Sequence, residues 1–171
     1  MTAAAFTTER LLLEPISREL AARIVAKAPL PGDAPWHPDY PFADEVYPLR
    51  FLAAAADPPD PVFGMYQIRT RADGLAVGGI GFFGPPHDDD RVELGYGLVA
   101  PARGLGYATE ALLAMIAIAQ AHAVRLVAAD TEADNAASLG VLRKAGFVEV
   151  RRERGAVFFE FVIPEEPSTS A

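Results

Sequence analysis

The chain has 171 residues, about half of them apolar, with no cysteine and a formal net charge of −8. Disulfides, zinc–thiolate centres and cysteine nucleophiles are excluded, and with a net negative charge and Lys27 and Lys144 the only lysines, a diffuse nucleic-acid footprint is not expected. The longest apolar run, residues 111–119, is about half the ~18 residues of a spanning helix, and residues 1–6 show no secretory leader. The reading is therefore a cytoplasmic protein with no membrane partner, whose acidic surface suits a protonated amine.

Residues 9–15 (ERLLLEP) predict a strand, and residues 18–27 a helix with Leu20, Ile24 and Val25 inward. Residues 29–42 (PLPGDAPWHPDYPF) hold five prolines, which exclude a helix or an interior strand. Trp36, Tyr40 and Phe42 make this an ordered loop folded over apolar surface rather than a linker. A second helix over 44–56 follows, with Asp44 expected as its N-cap and DPPDP as its stop. Residues 63–71, 75–83 and 91–99 alternate as three strands joined by turns at 72–74 and 85–90. A long helix is expected over 104–123, a buried strand over 125–130 and a helix over 135–145. Residues 147–154 and 156–163 close the chain as a hairpin about Gly155. The order describes one mixed α/β domain over 1–164, with 165–171 a disordered tail.

Two glycine patterns compete. GGIGFFG (Gly79, Gly81, Gly84) has dinucleotide-loop spacing, but it lies inside a strand and runs into Pro85-Pro86 instead of opening a helix. RGLGYA (Arg103 to Ala108) has the right surroundings: a strand before it, and behind it a helix with Ala108, Leu112, Met115 and Ala119 at helical spacing. Helix N-termini present unpaired N–H groups and a partial positive charge. Gly104 and Gly106 leave those amides uncovered, and Arg103 adds a cation, which together suit a pyrophosphate. The alternative is a tight turn that simply needs glycine.

R-x-x-G-x-A at Arg103 to Ala108, followed by N-x-x-S and a K-A-G-F ending, resembles the Gcn5-related N-acetyltransferases. ELGYGL, GLGYATEA and NAASLGVLRKAGF resemble, more narrowly, the branch that acetylates the N-terminal amines of ribosomal proteins, together with its small-molecule relatives. The resemblance covers residues 8–163. It implies a mixed, mostly antiparallel sheet splayed between its fourth and fifth strands, acetyl-CoA as cofactor and an amine as acceptor. It implies too that Arg103, Gly104, Leu105, Gly106, Tyr107 and Ala108 hold the pyrophosphate, aided by the Thr109 hydroxyl. Leu98 and Val99 would pair with the pantetheine arm, and Asn135 and Ser138 would touch it from the opposite side. Arg143 or Lys144 would reach the 3′-phosphate or else be solvated helix charges. One departure stands out: the family's tyrosine seven residues after the asparagine, the acid for the departing thiolate, is Leu142 here. Ser138 is the substitute donor, or only a pantetheine contact.

Thioester aminolysis needs a neutral amine, yet a lysine amine (pKa ~10.4) or an N-terminal one (~8) is mostly protonated at neutral pH. It also needs oxyanion donors and alignment. Backbone N–H groups near Leu98 and Val99 are the expected donors. In RVELGYGLV, Glu93 shares a face with Gly95 and Gly97, which leaves a trough beside a carboxylate suited to act as base; the alternative is a solvated charge pairing with Arg91. Trp36 and Tyr40 are candidates for the acceptor pocket, with a lid over the core or a homodimer contact as alternatives for their loop. The turn His87-Asp88-Asp89-Asp90 is taken as solvated, so no metal site is expected. The resulting expectation is an acetyl-CoA-dependent N-acetyltransferase working by direct transfer. Its rivals are a non-catalytic acyl-CoA-binding module and a nucleotide-binding oxidoreductase.

Overall fold

In a computed structural model, which describes residues 4–57, 60–86 and 89–164, the seven predicted strands and one more join into one eight-stranded sheet. Residues 87 and 88 and the expected tail lie outside the described residues. In chain order the elements are β1 (Phe6–Thr7), β2 (Leu11–Pro15), α1 (Arg18–Val25), α2 (Ala43–Ala54), β3 (Met65–Thr70), β4 (Ala76–Phe82) and β5 (Arg91–Leu98). They continue with α3 (Tyr107–Ala121), β6 (Leu126–Glu132), α4 (Ala136–Lys144), β7 (Val148–Glu153) and β8 (Ala156–Val162). The sheet order is β1-β2-β3-β4-β5-β6-β8-β7, and only β5–β6 is parallel. That pairing stops at Glu93↔Ala128, although β5 runs on to Leu98 and β6 to Glu132. The two strands therefore part and leave a wedge between them.

Beside the wedge, α3 packs against β5. The Ala-, Leu-, Met- and Ile-rich α3 buries Ala111, Leu112, Met115 and Ala119 and packs against β2, β4 and β5. Full burial of Leu112 or Met115 stabilises the fold by about 1.5–3 kcal/mol each. The start of α3 is also tied to the β1–β2 hairpin through Glu110. That carboxylate accepts from the Thr8 hydroxyl (2.6 Å), the Arg10 amide (2.7 Å) and Arg10 Nε (2.7 Å). Burial pushes the Glu110 carboxyl up, but these bonds outweigh it and hold it below the usual carboxylate range.

Three expectations need correction. Asp44 does not cap α2: Phe42 holds the N-cap position, with no side-chain cap bond. The Phe42 ring stands where a Cβ of Gly97 would be, so contact with the sheet, not a cap, sets where this helix begins. α3 begins at Tyr107 rather than at Gly104, because Gly104 and Gly106 both adopt positive φ (74° and 83°). β1 was not foreseen, since two residues carry no readable alternation.

Candidate active site

Beyond Leu98 a short 3-10 turn, Ala100–Ala102, carries the chain to Arg103, and Gly106 then serves as the N-cap of α3. No side chain caps this helix, and Glu110 N–H bonds back to the Gly106 carbonyl at 3.1 Å. The amides before it have no intrahelical acceptor and point outward from the helix start. Nothing lies within 4 Å of where a Cβ of Gly104 would stand, so bare backbone faces the adjoining space. Arg10 braces the turn from behind, donating to the Leu105 carbonyl (2.7 Å) and lying over the Tyr107 ring (4.9 Å to its centroid). Arg103 Nε donates to the Leu98 carbonyl at 3.0 Å, which fixes the guanidinium at the rim.

A cavity of about 310 Å³ lies between this turn and α4. Gly104, Gly106, Tyr107, Ala108 and Thr109 line it on one side, together with Arg103 and Leu98. Asn135, Ser138 and Lys144 line it on the other. Asn135 is the N-cap of α4, its Oδ1 accepting from Ser138 N–H at 3.1 Å. Ser138 Oγ lies 2.7 Å from the Tyr96 hydroxyl. Burial raises the Tyr96 phenol above its ordinary value, against the lowering effect of the Ser138 bond. Arg143 instead turns to Glu149 (3.3 Å). Leu105 and Val99 do not line the cavity. The Val99 N–H donates to the Val77 carbonyl at 2.9 Å, so it is not the free oxyanion donor expected of it. Exposed helix-start amides, two cations and an apolar floor fit a diphosphate-bearing thioester carrier such as acetyl-CoA.

A second, smaller cavity of about 150 Å³ shares Phe42, Asp44 and Tyr96 with the first. Its walls are mostly apolar, from Pro48, Met65, Phe82 and Phe83, but it is also lined by Glu45. Register explains why α2 comes so close to the sheet. Gln67, Gly79 and Gly97 form one row across β3, β4 and β5. A Cβ at Gly79 would overlap Glu45 Oε1, as one at Gly97 would overlap Phe42. Glu45 is only 3% exposed; Oε1 accepts a long bond from the Tyr40 hydroxyl (3.4 Å), and Oε2 has no partner. Burial pushes its carboxyl up to about 8, against the lowering influence of Tyr40. Beside it Gln67 is wholly buried, with neither amide atom hydrogen-bonded.

The trough expected beside Glu93 stops short of it: Gly95 and Gly97 line the two cavities, but that open space does not extend to Glu93. Glu93 does share the face of Gly95 and Gly97, but the Phe83 ring covers Gly95, and Glu93 is exposed and lines neither cavity. Trp36 and Tyr40 also sit behind the lining: Tyr40 is buried against Glu45, and Trp36 bridges to Ala76. The residues missed are Phe42, Glu45, Phe83 and Tyr96. For Glu45 a signal existed, since residues 45, 49 and 52 form the buried stripe of α2, with a carboxylate in an apolar place.

A further concavity, about 700 Å³, lies at the far end of α3, and its lining offers no carboxylate, histidine or hydroxyl. Among the described residues no group of three His, Asp or Glu could hold a metal ion. Among them, too, no helix is long and apolar enough to cross a membrane.

The sheet parts beside a glycine turn that opens a helix, and a cavity lies at that helix start. The chain belongs to the acetyltransferase (GNAT) domain family, whose model matches residues 10–148. Family membership implies acetyl-CoA-dependent acetyl transfer. Solved structures share the fold at low identity. An acetyltransferase of the GNAT family from Bacillus anthracis is 16% identical, with TM-score 0.66, covering 93% of this chain and 98% of its own. A ribosomal-protein-S5-alanine acetyltransferase from Vibrio fischeri is 17% identical, with TM-score 0.62 and coverage of 94% and 97%. The microcin C7 self-immunity acetyltransferase MccE, solved with acetyl-CoA and AMP, is 16% identical, with TM-score 0.62 and coverage of 91% and 94%. No curated protein matches the sequence.

Proposed function

We propose that the protein transfers an acetyl group from acetyl-CoA to a primary amine, directly, while both are bound. The observation that carries this reading is the meeting of two cavities at Phe42, Asp44 and Tyr96, one with an anion cradle and the other with a buried carboxylate. In the larger cavity the amides from Gly104 to Thr109, with Arg103, hold the diphosphate, and Lys144 takes the remaining phosphate. Asn135 shapes the start of α4, so that Ser138 faces the arm. When bound, acetyl-CoA supplies an activated thioester carbonyl.

The smaller cavity receives the amine, and the two sites hold the reactants in line without a covalent intermediate on the protein. Leu142 is wholly buried and offers no acid. The Ser138–Tyr96 hydroxyl pair is therefore the proton source for the thiolate. A cysteine-free chain is suited to such work in the cytoplasm.

The test is incubation of the protein with acetyl-CoA and a panel of amines, following free thiol and N-acetylated product together. Equal amounts of both support the reading. Protection from heat by CoA without product supports instead a non-catalytic acyl-CoA-binding module, the reading favoured by Leu142 in place of tyrosine.

A further inference from the structure

The smaller cavity contains a group that neither its fold nor its packing requires. Position 45 belongs to the buried stripe of α2 with Leu49 and Leu52, and a leucine there would be the ordinary choice. The chain instead places a carboxylate at 3% exposure, with one oxygen on a long bond and the other on none. It also omits a side chain at Gly79 to make room for it. A buried polar atom without a partner costs stability, so the arrangement stores hydrogen-bonding capacity for something that enters. The cavity that Glu45 lines adjoins the larger one, and the rest of its lining is mostly apolar.

We propose that Glu45 is the residue that binds the acceptor amine and takes its proton, and that the acceptor carries this amine on an apolar body fitting between Phe42, Met65 and Phe83. The inference rests on the proposed acetyl transfer. The acceptor enters as R–NH3+ against the ionised form of Glu45, about a tenth of the population at pH 7, and its positive charge favours that form. One N–H bond breaks and its proton passes to Oε2, leaving R–NH2 and a neutral acid. The nitrogen lone pair then forms the amide bond while the C–S bond breaks, and the second nitrogen proton ends on the thiol. The proton on Glu45 returns to solvent when product leaves. An acid near 8 is matched to an amine of pKa ~8, so this transfer is nearly balanced. The titratable or charged groups around the carboxylate are Tyr40 from the loop, Asp44 on its own helix and Tyr96 on β5, while Arg69 on β3 is paired with Glu14.

Two variants test this. Glu45→Gln keeps shape and removes the proton acceptor; Gly79→Ala places a methyl where the carboxylate lies. Both should leave protection by CoA unchanged and lower acetyl transfer at pH 7 by roughly 100-fold. For Glu45→Gln the deficit should shrink about tenfold by pH ~9.5, where solvent itself supplies neutral amine; a merely structural role would give the same deficit at every pH. The ligand-free protein gives a second readout. A carboxyl raised in the fold keeps its proton after the unfolded chain has lost its own, so stability falls as pH rises from 4.5 toward 8. The wild-type melting temperature should fall across that window relative to Glu45→Gln. Wild-type transfer and an unchanged pH profile in both variants would overturn the role of Glu45 while leaving acetyl transfer standing. No amide product from the wild type would instead overturn the proposed function itself.

Discussion

The two adjoining cavities are built by opposite means. The larger is a backbone device: two glycines of positive φ, a helix start without a side-chain cap, and an arginine pinned to the Leu98 carbonyl. On the proposed reading its recognition is electrostatic and nearly blind to what lies beyond the phosphates. The smaller is a side-chain device, in which Phe42 and Glu45 descend onto strands stripped at Gly97 and Gly79. A carrier used by many enzymes can be held by peptide groups, which every sequence has. An acceptor must be told apart by shape and one charge, which only particular side chains supply.

Substitutions that injure one cavity and spare the other sharpen this contrast. The largest effect is expected from Gly104→Asp. Aspartate tolerates the left-handed conformation, and the position has room, so the fold should survive. Its charge would repel the diphosphate, and affinity for CoA should fall roughly 100-fold by calorimetry, the loss of one or two charge-assisted bonds. Arg103→Ala should weaken CoA about tenfold and leave amine KM alone. Tyr96→Phe removes the partner of Ser138 and should lower kcat about tenfold with CoA affinity kept; equal kcat would detach that pair from proton delivery.

Phe83→Ala, at a ring 66% exposed and lying over Gly95, should widen the smaller cavity. KM should fall for bulkier amines and rise for small apolar ones, with the CoA site unmoved. The smallest effect concerns stability. A carboxyl lowered in the fold stabilises above its unfolded value and loses that contribution as pH falls through the folded value. Glu110→Gln should therefore cost about 1 kcal/mol at pH 7 in denaturant unfolding, and the difference should fade in acid.

This contrast also decides what could be read from the sequence. The turn RGLGYA is contiguous, and the strand and helix around it carry their own periodicities, so the cradle and most of its lining were visible in one window. Lys144 and Ser138 were reachable because α4 fixes their faces. The acceptor side is assembled from distant pieces. Glu45 is understood only once β3, β4 and β5 align Gln67, Gly79 and Gly97 in a row, a register set across about thirty residues of chain. Strand parity correctly put Glu93 on the glycine face, but it could not reveal that the Phe83 ring folds back over Gly95. Asp44 had the chemistry of an N-cap, yet the contact of Phe42 with Gly97 starts the helix two residues earlier. Local rules gave way where a side chain from elsewhere filled the space.

The most direct measurement is mass spectrometry of the wild-type protein with acetyl-CoA and apolar primary amines, quantifying CoA thiol and N-acetylated amine in the same sample. The account predicts that the two accumulate in equal amounts and that both depend on the amine. Thiol released at the same rate without amine, or bound acetyl-CoA left intact beside every amine, would contradict it.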